Sequence, residues 1–180
     1  LSILGAYDQA VARARRIKEW RIVDASGRQL MSRPMPDHDR MLLPPRADLY
    51  QALIDRCVAN GVEIITSSIV TEVRADGTLV TETVGERKAD LVLIANGAYS
   101  MLREQILGTA WMDFGIEAGI RMMIGNRPDD PTDLITEYWN GPWRLLYNPC
   151  TEGENYIFLS APVNDDRARV LPVDRALWAE

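Results

Sequence analysis

Hydrophobic positions divide the chain into two textures. From Asp48 to Asn60 apolar residues recur at helical spacing, with Leu49, Leu53 and Cys57 four apart and Ile54 and Val58 widening the stripe. This predicts a helix, and Gly61 stands where a left-handed cap ends one. Ala89 to Ala95 is a continuous apolar run without alternation, the pattern of a strand buried on both faces of a parallel sheet. Asn96-Gly97 then makes a turn, and Ser100 opens a helix to about Leu107. Elsewhere the period shortens to two. Strands are predicted at Trp20–Val23 and Gln29–Ser32 around the Asp24–Gly27 turn, and at Phe114–Ile124, Leu134–Trp139, Trp143–Tyr147 and Asn155–Leu159. Val62–Ile65 reads as a short strand, and 69–74 with 78–84 as a hairpin turning at Asp76-Gly77. Residues 1–16 read as the end of a helix, 33–45 as a proline-rich loop, and 173–178 as the start of another helix.

The division that follows is 1–39, a helix end and hairpin; 40–108, part of an α/β layer; and 109–180, an antiparallel sheet with one covered face. Sheet pieces on both sides of the α/β part indicate interleaved domains, so the expected class is mixed α+β and α/β. The chain opens with Leu on what reads as mid-helix sequence, and it is expected to be an internal portion of something longer.

Composition narrows the chemistry. A net charge of −6 lacks the clustered Lys and Arg of a nucleic-acid surface, and the short run Arg13, Arg15, Arg16, Lys18 reads as a solvated helix end. Cys57 and Cys150 form no metal-binding spacing and His38 is the single histidine, so no metal site and no hydrolytic triad is expected. Two separated cysteines suit a reducing, cytoplasmic setting. No apolar run reaches the ~20 residues of a membrane helix, so no integral membrane segment is expected.

The sharpest chemical feature is the run from Ala89 to Arg103. The carboxyl end of a buried parallel strand is where α/β proteins bind ligands, and free amides past it suit a phosphate. On spacing alone the same residues also read as a plain turn and helix cap. The run resembles the second fingerprint of flavin-dependent aromatic hydroxylases of the para-hydroxybenzoate hydroxylase type. Gly97, Ser100 and Arg103 match it, while Asn96 replaces the usual Asp and drops its charge. Arg46-Ala47-Asp48-Leu49 through Gly61-Val62 resembles that family's helix beginning with Arg, and Val70 falls where a backbone contact to adenine is implied.

The resemblance implies FAD as cofactor and NAD(P)H as co-substrate, with Arg46, Val70, Asn96, Gly97, Ser100 and Arg103 toward the cofactor. It implies hydroxylation of a small aromatic, typically phenolic, substrate through a flavin hydroperoxide. On the sheet, Arg121, Tyr138 and Tyr147 are candidates to meet the substrate, Arg121 through a carboxylate. No catalytic residue is singled out, and a homodimer is left open. The family's Gly-x-Gly-x-x-Gly and its later Gly-Asp fingerprint are absent from these residues, so the chain alone is expected to hold FAD weakly or not at all and to be inactive. The alternative is a non-catalytic module of the same ancestry that binds a small molecule or a partner.

Overall fold

The computed structural model describes residues 1–109, 112–168, 170–172 and 174–179. Two compact units result, one of residues 1–61 with 115–180 and the other of residues 62–114.

The first unit is built on a six-stranded sheet. Its strands are β2 (Glu19–Asp24), β3 (Gln29–Pro34), β8 (Glu117–Gly125), β9 (Leu134–Asn140), β10 (Trp143–Pro149) and β11 (Glu154–Pro162), in the order β3-β2-β9-β10-β11-β8. The N-terminal hairpin therefore joins the later strands in one sheet. It does so through a parallel pairing of β2 with β9, while every other neighbour is antiparallel. Alternation in these strands is what permits one face to be covered. Ile17, Met35 and Ile135 form the core on that face, with Trp20, Met41, Leu43 and Leu146 packed against them.

Against this face lies a two-stranded pair, β1 (Arg15–Ile17) with β4 (Met41–Leu43). This corrects two expectations. Residues 1–16 are helical only at α1 (Tyr7–Val11), and the proline-rich stretch 33–45 contains a strand. Met41-Leu42-Leu43 is too short to signal itself between prolines. Its partner is 24 or more residues away in sequence, so no local pattern announces the pairing.

Helix α2 (Arg46–Ala59) begins after Pro45, whose φ of −55° suits a helix start, and stops before Gly61 at φ +71°. Its buried face is narrower than the sequence stripe. Ala52 meets Ala6 and Ala10 of the α1 region, flanked by Leu49 and Leu53, whereas Ile54 and Val58 are exposed. Small residues let the helices approach closely, and Arg13 clamps the contact with two hydrogen bonds to Asp48 at 2.9 and 2.8 Å.

The second unit holds a three-stranded antiparallel sheet, β5 (Val70–Val73), β6 (Thr78–Thr81) and β7 (Gly85–Lys88), and the short helix α3 (Met101–Leu107). The hairpin turn falls at Asp76-Gly77 as expected, with Gly77 at φ +84°. Strand β7 is an addition, since Glu86-Arg87-Lys88 carries no apolar alternation to mark a strand. Its charges are matched in space: Arg74 bridges Glu72 and Glu86, and Lys88 meets Asp76. Neither 62–65 nor 89–95 forms a strand, and Leu91 and Leu93 stand 75% and 81% exposed. A central parallel strand exists only by pairing with neighbours, and among the described residues none pairs with this run.

Candidate functional site

In the second unit the turn after Ala95 is organised by the helix that follows it. Ser100 caps α3: its Oγ accepts the Arg103 N–H at 3.1 Å, and Gly108 closes the helix in the left-handed conformation. Arg103 then folds back. Its guanidinium donates to the carbonyl of Gly97 at 3.3 Å and to that of Ala98. Gly97 itself is at φ +96°, with open space where a Cβ would stand. The carbonyls of the turn are thus clasped, while the amides of Asn96, Gly97 and Ala98 donate to nothing among the described residues. Val70 opens β5, which lies against α3, so Val70, Ser100 and Arg103 belong to neighbouring elements of one unit.

Arg46 belongs to the other unit. It occupies the first turn of α2, is exposed, and has no ion pair or hydrogen bond among the described residues. A cation at a helix start opposes the macrodipole, so this guanidinium is poised for an anion. Neighbouring arginines differ: Arg13 is committed to Asp48, and Arg16 to Asp37.

The three substrate candidates do not form one group. Tyr138 lies opposite Leu145, and Tyr147 opposite Thr136 and Ile157, so both tyrosines point to one face of the sheet. Arg121 pairs with Phe158, which pairs with Leu146, and that row is on the other face. There the Arg121 guanidinium lies 4.7 Å from the centroid of the Phe158 ring. Tyr138 is 45% exposed. Tyr147 is occupied within the fold: its hydroxyl donates to Asp130 and accepts from Asn155 Nδ2 at 2.7 Å. Asn155, 1% exposed, also donates to Asp130 at 2.8 Å, and its Oδ1 has no hydrogen-bond partner among the described residues. Asp130 is held below the usual carboxylate range, first by the Arg127 N–H and then by the Tyr147 hydroxyl. Burial, then the bond to Asp130, pushes the Tyr147 phenol upward.

This network escapes a sequence reading because Asp130 sits in a Pro/Asp turn and Asn155 looks like a strand end. The available signal was Asn155 itself, a polar residue at an inward position of an alternating strand. Among the described residues no group of three or more His, Cys, Asp or Glu side chains could hold a metal ion, and no helix is long and apolar enough to cross a membrane.

These elements together have the flavin monooxygenase domain fold. The tetrameric form of 2-methyl-3-hydroxypyridine-5-carboxylic acid oxygenase matches with a TM-score of 0.84 and 26% identity, over 99% of this chain and 50% of that one. PqsL of P. aeruginosa, in complex with 2-aminobenzoylacetate, shares the fold at a TM-score of 0.77 and 14% identity, over 91% of this chain and 47% of its own. In sequence, the chain is 40% identical over 125 residues to the 2-heptyl-3-hydroxy-4(1H)-quinolone synthase of Mycobacteroides abscessus, covering 66% of this chain and 33% of that protein. The probable 2-heptyl-3-hydroxy-4(1H)-quinolone synthase AqdB2 of Rhodococcus erythropolis is 27% identical, over 99% of this chain and 48% of its length. The chain therefore spans about half or less of the length of the relatives it matches. No family model matches it.

Proposed function

We propose that this chain is part of an FAD-dependent monooxygenase that uses NAD(P)H and O2 to hydroxylate a small aromatic ring. The observation that carries the reading is the turn at 96–98. Its carbonyls are tied back by Arg103, and its amides are left free for an anion such as a phosphate oxygen. That donor set fits a dinucleotide phosphate; Arg46, in the first unit, is on its own a cation suited to an anion. Bound FAD would supply the redox chemistry. Within the second unit, the amides of Asn96 and Gly97 would hold a phosphate, Ser100 and Arg103 would fix the turn, and Val70 would meet the adenine end; in the first unit, Arg46 would meet an anion by itself. Asn96 keeps a hydrogen-bonding side chain without the charge an Asp would add beside the phosphates.

The tyrosine-bearing face is the substrate side of this reading. Tyr138 offers a half-exposed phenol that bonds to nothing among the described residues, and Tyr147 is tied to Asp130. Arg121 contacts substrate only if the substrate reaches the opposite face. The named relatives favour a quinolone-like ring, a bicyclic phenol equivalent. A cytoplasmic protein that can form a homodimer suits the reading.

Purification of the full-length protein tests it. A flavin absorbance band that is retained on desalting, and NADH or NADPH oxidation accelerated by an aromatic substrate, are expected. Arg46→Ala should weaken flavin retention at least tenfold. A full-length protein that takes up no flavin when titrated with FAD leaves the non-catalytic alternative in its place.

A further inference from the structure

Three Asn-Gly pairs occur in the chain: Asn60-Gly61, Asn96-Gly97 and Asn140-Gly141. Glycine after asparagine leaves the following amide nitrogen unshielded by a side chain, so each pair is open to attack by the backbone on its own asparagine. The sequence treats the three alike, and the structure separates them.

Asn60 caps the end of α2, and both of its reacting groups are held. Its Nδ2 donates to the Arg56 carbonyl at 2.7 Å, and the Gly61 N–H donates to the Val58 carbonyl at 3.0 Å. Asn140 is the last residue of β9 and is paired with Trp143 across the hairpin. Attack on its side chain would turn its backbone out of the extended conformation and break that pair. Asn96 has neither restraint. It is exposed, it belongs to no helix or strand, and its side chain bonds to nothing among the described residues. The Gly97 N–H is equally unengaged there, and Gly97 stands at φ +96° in open space. Arg103 holds the carbonyls of Gly97 and Ala98, which lie beyond the Asn96–Gly97 peptide and leave that peptide able to rotate.

We propose that Asn96 is a site of spontaneous deamidation whose isoaspartyl product disables the turn at 96–98. The Gly97 amide nitrogen bonds to the Asn96 side-chain carbonyl carbon. The bond from that carbon to Nδ2 breaks, and Nδ2 leaves as ammonia with the proton of the Gly97 amide. Water then opens the cyclic imide, so that the balance is water in and ammonia out, with no oxidant or reductant. Opening at the side-chain carbonyl gives aspartate, which keeps the backbone and shape of asparagine and adds an exposed, screened charge. Opening at the main-chain carbonyl gives isoaspartate, which routes the chain through the side-chain carbon and inserts an extra backbone atom ahead of the Gly97 amide. The amides of Gly97 and Ala98 are then displaced from the conformation that Arg103 fixes. This consequence rests on the flavin reading of the turn, whereas the reaction at Asn96 does not.

The test is ageing of the full-length protein at mildly alkaline pH, followed by tryptic digestion, mass spectrometry and isoaspartyl-methyltransferase labelling. Cleavage after Lys88 and Arg103 isolates Asn96 as the only asparagine of its peptide. Conversion at Asn96 should outpace that at Asn60 by at least about tenfold, a factor within reach of the two hydrogen bonds that hold Asn60. The gap should close in guanidinium chloride, where the fold is lost. FAD uptake should fall in proportion to the isoaspartate content. It should stay within about twofold of the parent in Asn96→Asp, whose added charge is solvent-screened. It should return when the methyltransferase and S-adenosylmethionine turn isoaspartate into aspartate. An Asn96 peptide that stays unchanged overturns the site, and so does Asn60 or Asn140 converting as fast in the folded protein. Uptake indifferent to isoaspartate content overturns the disabling of the turn. If freshly made protein takes up no FAD, the flavin reading falls, while the ratio of conversion at Asn96 to that at Asn60 still decides the site.

Discussion

Gly119 and Gly125 sit on the same strand, and the structure predicts opposite consequences for placing a methyl group on each. A Cβ on Gly119 would lie 2.4 and 2.8 Å from two carbons of the Phe158 ring and 2.6 Å from the Leu159 carbonyl oxygen. The ring could turn aside, at the cost of its stacking with Arg121. The carbonyl cannot, because β11 is paired with β10 on one side and β8 on the other. Overpacking against a fixed backbone costs about 1–3 kcal/mol, and loss of the cation–π contact adds about 0.5 kcal/mol. Gly125 meets nothing within 4 Å, and its φ is not positive. Replacing a strand glycine there gains about 0.5–1 kcal/mol from reduced freedom in the unfolded chain. Gly119→Ala and Gly125→Ala should therefore differ by about 2–4 kcal/mol. Urea unfolding of the two variants reads this difference directly as a shift in midpoint at constant slope. Equal midpoints would refute the β8–β11 register, and with it the placement of Ile120 and Leu159 in the cross-strand row of Tyr138.

Three further outcomes follow from the same contacts. Ser100→Ala removes the cap of α3 and should cost about 1 kcal/mol locally, seen as roughly fivefold faster hydrogen exchange at the Arg103 amide with little change elsewhere. Tyr147→Phe should lower the melting temperature at neutral pH, with the gap to the parent protein closing on acidification. The depressed Asp130 carboxyl contributes stability above its unfolded value, near pH 4, and loses it as the pH falls through the lower folded value, so removing one of its donors matters only on the alkaline side. Arg103→Lys should weaken FAD uptake by the full-length protein even though charge is kept, because one ammonium cannot span the carbonyls of Gly97 and Ala98; unchanged uptake in a titration would count against the clasp.

How much of this was legible beforehand depends on the range of the interaction. Helix α2 and the strands of the large sheet announce themselves because period and capping are local, as in Arg46–Ala59 before Gly61. Strands β4 and β7 do not, since one is three residues long and the other is stabilised by ion pairs that only the fold assembles. The apolar run 89–95 carries a strong strand pattern yet forms no strand, because pattern records a preference for burial while a strand needs a partner. Local pattern succeeds where the chain is its own neighbour.

The candidate site shows the same limit more sharply. Along one strand, period two says which residues share a face; between strands it says nothing until the register is known. Tyr138 and Tyr147 share a face because Tyr138 meets Leu145, and Arg121 departs from them because it meets Phe158. A slip of one residue between β8 and β11 would bring Arg121 round to the tyrosines and take Ile120 and Met122 away from that face. Which side chains join Tyr138 and Tyr147 on their face is therefore decided by one set of backbone hydrogen bonds. A substitution that shifts this register would therefore exchange Ile120 and Met122 for Arg121 on the tyrosine-bearing face in one step.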